Sequence, residues 1–142
     1  MYEYKVVIVR VVDGDTVDVD IDLGFDLWLK KQRIRLYGVD TPESRTRDLE
    51  EKRHGIAAKE FVESYLPLNT KQVLKTKLDG RGKFGRILGE FVAFDAVNDR
   101  QSTVNQLLID SYHGVEYHGQ SKDDIEAEHL ENRKKVRLWV HI

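Results

Sequence analysis

Residues 13–22 run Asp13-Gly14-Asp15-Thr16-Val17-Asp18-Val19-Asp20-Ile21-Asp22. The Asp-Gly pair is a turn signal. Behind it Val17, Val19 and Ile21 alternate with Asp18, Asp20 and Asp22, the period of two shown by a strand with one face buried and one wet. Upstream, residues 2–12 are dense in Val, Ile and Tyr and read as a strand entering the turn. Downstream, Gly24 begins a hairpin tip with Leu27, Trp28 and Leu29 in or near it. Ile34, Leu36 and Val39 then carry a third strand, with Arg33 and Arg35 on its other face. Three strands joined by short turns make a meander.

Further out the period changes. Pro42 stops the sheet, and residues from about 48 to 66 read as a helix in which Ala58, Phe61, Val62 and Tyr65 share one apolar face. Leu74, Thr76 and Leu78 alternate with Lys75 and Lys77, giving a fourth strand. A loop at residues 79–82 leads to a fifth over residues 86–94. Ser102 is placed to cap a short helix carrying Val104, Leu107 and Leu108, residues 112–120 read as a loop, and Ser121 is placed to cap a last helix over about 122–136. Its acids lead and its bases trail, as the helix dipole favours. The order βββαββαα predicts a mainly β protein. The expected fold is a five-stranded Greek-key barrel of the OB type plus three α-helices, in one domain over 1–142. Such a fold does not by itself assign a function.

Composition narrows the classes. Of 142 residues, 40% are hydrophobic and 34% charged, which is ordinary for a globular chain with a real core. No apolar run is long enough to span a bilayer, so no membrane partner is expected. The opening MYEYKVVIVRVV lacks a basic leader, and a cytoplasmic setting is expected. The absence of cysteine excludes disulfides and thiolate metal sites. A formal net charge of −2 counts against a polyanionic partner. Two stretches, however, concentrate bases: Lys30 to Arg53 and Lys71 to Arg86. A solvated surface is the plain reading of either run alone.

Three motifs carry candidate chemistry. Asp13-Gly14-Asp15-Thr16, taken alone, is a turn. In Arg35-Leu36-Tyr37-Gly38-Val39-Asp40-Thr41-Pro42-Glu43, Asp40 or Thr41 serves equally well as a helix cap or as part of a site. Lys83-Phe84-Gly85-Arg86 is a basic turn entering a strand. Their combination says more. Asp15 and Asp40, from neighbouring strands, with a carbonyl oxygen at Thr41, make a hard all-oxygen pocket suited to Ca²⁺. Without Cys or a His pair at ligand spacing, the set does not suit zinc. Glu43 is close enough in sequence to hold a water near that metal, and the forked guanidiniums of Arg35 and Arg86 suit a phosphate whose charge grows in the transition state. These are the parts of metal-assisted phosphodiester hydrolysis.

On these motifs, with Val104-Asn105 opening the second helix, the sequence resembles a staphylococcal nuclease-type thermonuclease domain over nearly the whole chain. The resemblance implies that Asp15, Asp40 and the Thr41 carbonyl ligate Ca²⁺. It implies that Glu43 activates or orients the attacking water, and that Arg35 and Arg86 bind the scissile phosphate of DNA or RNA, with in-line attack and 3′-phosphate products. Lys83, Phe84 and Tyr117 are the implied substrate-binding residues. The chain departs from the secreted members in a longer hairpin between Asp15 and Arg35. Val115 stands where a second tyrosine is expected, and Phe84 replaces a phenol. The near-neutral charge points to phage or plasmid DNA processing rather than scavenging outside the cell. A non-catalytic OB-type nucleic-acid-binding module and a protein-interaction domain are the rival readings. Leu27-Trp28-Leu29 is read as folding back on the core, with a subunit contact or an aromatic platform for a base as the alternative. His54, His113, His118, His129 and His141 are read as scattered surface residues without a role.

Overall fold

A computed structural model describes residues 2–77 and 87–138. Along the chain its elements are β1 (Tyr2–Asp13), β2 (Thr16–Gly24), β3 (Leu27–Leu36), β4 (Val39–Asp40), α1 (Leu49–Tyr65), β5 (Lys71–Lys77), β6 (Ile87–Asp95), β7 (Arg100–Thr103), α2 (Val104–Asp110), β8 (Val115–Glu116) and α3 (Lys122–Arg133). β1, β2 and β3 form the antiparallel meander, with Val11 opposite Val17 and Val17 opposite Ile34. Val17, Val19 and Ile21 are buried, as their alternation requires. β5 pairs with the free edge of β1 and β6 pairs with β5. β6 then runs parallel to β3, with Ile34 opposite Ile87 and Leu36 opposite Gly89. This last ladder closes the five strands in the ring β1-β2-β3-β6-β5. Closure removes the sheet's open edges and encloses the core. Two register shifts in β1, at Ile8/Arg10 and Val11/Asp13, add the bend that closing a small barrel needs. The inside is filled by Val6, Ile8, Val19, Ile34, Leu36, Leu74 and Phe91, and α1 and α2 add Ala58, Val62, Val104 and Leu108.

α1 starts where a cap exists. The Asp48 carboxylate accepts the N–H groups of Glu50 (3.1 Å) and Glu51 (3.2 Å), and both glutamates lie in the first turn where the dipole favours them. Ala58 and Val62 are buried, with Phe61 and Tyr65 packed at the border of the core. Because the helix begins at Leu49, neither Asp40 nor Thr41 is a helix cap, and residues 41–48 form an irregular link.

Several expectations need correction. Val39 does not continue the third strand. Gly38, at φ +77°, turns the chain out of β3, and Val39–Asp40 pairs instead with Val115–Glu116, inside the segment expected to be a loop. The cap of α2 is Thr103, whose hydroxyl accepts the Gln106 N–H at 3.0 Å, while Ser102 lies in β7, opposite Ala93. α3 ends at Arg133, three residues early, so of its trailing bases only that one is in the last turn. The hairpin turn itself is Phe25-Asp26, both at positive φ, and Leu27-Trp28-Leu29 stands on the β3 arm. That arm extends past the barrel rather than folding back on it: Leu27, Trp28 and Leu29 are exposed and Phe25 is 99% exposed. Leu78, expected in the fourth strand, lies outside the described residues.

Candidate active site

The Asp13-to-Asp15 turn and the link after β4 are fastened together at both ends. The Ser44 hydroxyl donates to Asp13 Oδ1, and the Thr41 N–H donates to Asp15 Oδ2 at 3.3 Å. Between these two bonds, Gly14 has no room for a side chain. A Cβ on Gly14 would lie 2.8 Å from Thr41 Oγ1 and 2.9 Å from Ala58 Cβ, so glycine lets the turn, the link and α1 meet. On the other side a Cβ on Gly55 would lie 2.3 Å from the Glu43 carbonyl oxygen. A glycine inside a helix costs about 1 kcal/mol against alanine. Here it allows α1 to press on the backbone that carries Glu43.

Arg35 enters this corner from β3. Its Nη1 donates to the carbonyls of Leu36 (3.1 Å) and Val39 (2.8 Å), which holds the side chain across the mouth of the β3–β4 turn. The same nitrogen is 3.5 Å from Asp15 Oδ2, and Nη2 is 3.5 Å from Asp40 Oδ1. One guanidinium thus lies between two carboxylates, Asp15 in the β1–β2 turn and Asp40 in β4, rather than on neighbouring strands as expected. Asn105 secures the turn from behind: its amide donates to the Tyr37 carbonyl (2.8 Å) and the Gly89 carbonyl (3.0 Å) and accepts from the Phe91 N–H (3.3 Å). The sequence pattern flagged Asn105 only as a motif letter. It ties α2 and β6 to the turn that presents Asp40.

The site carries more negative charge than Arg35 can balance. Burial pushes the Asp15 carboxyl above its ordinary value, Arg35 and the Thr41 N–H pull it back, and Asp40 pushes it up again. Glu43, although exposed, is also raised, first by partial desolvation and then by Asp13, Asp15, Asp40 and Glu51. The residues fit a hard divalent cation in that respect. Asp15 and Asp40 flank Arg35, both add to the rise of Glu43, and the carboxylates gathered here offer only oxygen. Among the described residues no three His, Asp or Glu side chains form a group that could hold a metal ion, so a cation here would need backbone oxygens as well.

Asp15, Arg35, Asp40, Thr41 and Glu43 therefore meet in one corner. Arg86, Lys83 and Phe84 lie outside the described residues. Tyr117 is brought alongside by its N–H bond to the Gly38 carbonyl (2.8 Å), and its side chain is exposed. Val115 is core, so no side chain at that position can face a substrate. Part of the basic stretch is already compensated: Arg33 and Arg10 pair with Asp18, and Lys30 with Asp20. A cavity of about 570 Å³ lined by Lys52, Phe61, His113 and Leu138 contains none of the five site residues.

One residue was missed. His129, on α3, places Nε2 2.7 Å from Asp40 Oδ2, with its side chain 13% exposed. Nothing along the chain marks it. Its spacing from Glu126 shows a shared helix face but not which way that face points.

A sequence model described as staphylococcal nuclease homologue matches residues 33–140. The chain is 38% identical over 79 residues to the thermonuclease of Staphylococcus intermedius, covering 56% of this chain and 43% of that protein. It is 36% identical over 85 residues to the thermonuclease of Staphylococcus hyicus, covering 60% and 45%. Against endonuclease YhcR of Bacillus subtilis it is 27% identical over 120 residues, covering 81% of this chain and 9% of that protein. The chain thus spans less than half the length of each of these relatives.

Proposed function

This chain belongs to the staphylococcal nuclease homologue family. From that premise we propose that it is a calcium-dependent endonuclease that hydrolyses phosphodiester bonds of DNA or RNA with low sequence specificity and leaves 3′-phosphates. The observation that carries the reading is the Arg35 guanidinium set between Asp15 and Asp40, with Glu43 in the same electrostatic field. Asp15 and Asp40 would hold the cation together with the Thr41 carbonyl. When bound, it supplies Lewis-acid polarisation of a phosphoryl oxygen.

The remaining chemistry belongs to side chains. Glu43 sits among Asp13, Asp15, Asp40 and Glu51, and this crowding raises its affinity for a proton. A carboxylate so placed is a stronger base than a free glutamate, as abstraction of a proton from an attacking water requires. Arg35 is held by backbone carbonyls through Nη1, which leaves the orientation of its plane set before substrate arrives. Such prior orientation is what makes a guanidinium effective against the charge that builds on the phosphorane oxygens. Arg86 is assigned the second contact to that phosphate, with Lys83, Phe84 and Tyr117 along the substrate; these four assignments rest on the family pattern.

Cleavage of single- and double-stranded DNA and RNA in Ca²⁺, Mg²⁺ or EDTA, with product ends identified, tests the reading. Ca²⁺-dependent cutting to 3′-phosphates is expected. Glu43→Gln and Arg35→Ala should each lower kcat by roughly 10²–10⁴-fold. Binding without cleavage in any metal would make the chain a non-catalytic nucleic-acid-binding module.

A further inference from the structure

Asp40 is held on three sides, and two of the holds come from the last third of the chain. Its backbone pairs with Val115 in β8. Its Oδ1 faces Arg35 Nη2, and its Oδ2 is 2.7 Å from His129 Nε2 on α3. A carboxylate can only accept, so this imidazole nitrogen carries the proton and donates. α3 is otherwise a lightly anchored helix. None of its residues is fully buried, and His129–Asp40 is supported one turn later by Asn132, whose amide donates to the Gly114 carbonyl at 3.1 Å. Gly114 immediately precedes the β8 residue that pairs with Asp40, so helix and strand brace the same aspartate.

We propose that His129 is a positioning residue for the metal centre. By holding Asp40 Oδ2, it fixes the carboxylate with Oδ1 turned toward Arg35, the residue that also reaches Asp15, and it makes docking of α3 part of cation binding. The proposal rests on the assignment of Asp40 as a ligand made above. The physical reason is rotational. A free aspartate carboxylate samples its last torsion broadly, and ordering it on cation binding costs entropy. A hydrogen bond to the non-ligating oxygen removes that cost in advance, and losing such an outer-shell partner typically lowers metal affinity about 10–100-fold.

Calorimetric titration with Ca²⁺ tests it, using the full chain, His129→Ala, His129→Gln and Asp40→Asn, each checked for native fold by near-ultraviolet circular dichroism. Gln keeps an N–H donor at nearly the same reach. The expected result is that His129→Ala weakens Ca²⁺ binding about 10–100-fold, that His129→Gln recovers most of the loss, and that KM for nucleic acid at saturating Ca²⁺ is unchanged. Native-like His129→Ala binding Ca²⁺ as the parent does, while Asp40→Asn binds poorly, would overturn this proposal alone. Equal weakening in Ala and Gln would also overturn it, since packing and not the donor would then matter. Should the parent bind no Ca²⁺, or should Asp40→Asn bind it unimpaired, the ligand assignment falls and this proposal with it.

Discussion

At the scale of single residues the centre is a place where charge is kept against its own preference. Glu43 is exposed, yet it is pushed toward its neutral form by partial desolvation and by four neighbouring carboxylates, so its ionised form is a cost the fold bears. Glu43→Gln should therefore raise the melting temperature of the metal-free protein at pH 7 while removing activity, measured by thermal denaturation in EDTA. A lower melting temperature would show that Glu43 contributes a stabilising contact instead. This is the usual conflict between a working site and a comfortable one. Asp13 illustrates the opposite case. It belongs to the same turn motif as Asp15, yet its carboxylate is spent on the Ser44 hydroxyl, holding the link that carries Glu43. Two aspartates two residues apart thus have different work, and only their partners distinguish them.

At the scale of elements the decisive contact is α1 against the link between Thr41 and Asp48. Replacing glycine by alanine within an exposed helix stabilises by about 1 kcal/mol. Gly55→Ala should do the reverse, because the new methyl meets the Glu43 carbonyl at 2.3 Å and Ser44 N at 2.6 Å, both backbone atoms that cannot swing away. A loss of about 1–3 kcal/mol by urea denaturation is expected, together with reduced turnover as Glu43 shifts. A neutral or stabilising result would mean that the link yields freely. α1 itself was legible along the chain through its apolar period, a local feature, although its cap is Asp48 and not Asp40 or Thr41. So were β1, β2, β3, β5 and β6, each long enough to display its alternation. β4 and β8 were not: two residues show no period, and their pairing joins positions more than seventy residues apart. The exposed hairpin arm was misjudged for a related reason. Leu27, Trp28 and Leu29 have core chemistry, but the barrel closes at Ile34 to Leu36 and leaves nothing above to cover them.

At the scale of the whole molecule, the link after β4, α1, the turn after α2, and α3 converge around two histidines that resist protonation. Burial lowers His54 below its ordinary value, helped by Arg133 and Arg53 and opposed by Glu50; burial and His54 lower His113. The folded state therefore takes up these protons less readily than the unfolded chain, whose histidines titrate near pH ~6.5. Stability should be unaffected by either group above that value and should fall as pH drops below it, levelling only once the folded-state values are passed. The raised carboxyls of Asp15 and Glu43 act in the other direction, their contribution growing as pH falls toward the ordinary carboxylate range. Urea midpoints between pH 7.5 and 5 check this: His54→Gln with His113→Gln should flatten the decline, and an unchanged slope would refute the assignment. Alternation, helical period and turn residues are properties of neighbours along the chain, so the sequence alone determined the main strands, the principal helix and the motifs whose Asp15, Arg35, Asp40 and Glu43 the fold gathers in one corner. Which of the described histidines reaches the centre, how Asn105 and Ser44 brace it, and where the hairpin ends in solvent depend on contacts between distant segments. Those contacts exist only once the barrel has closed, and packing alone decided them.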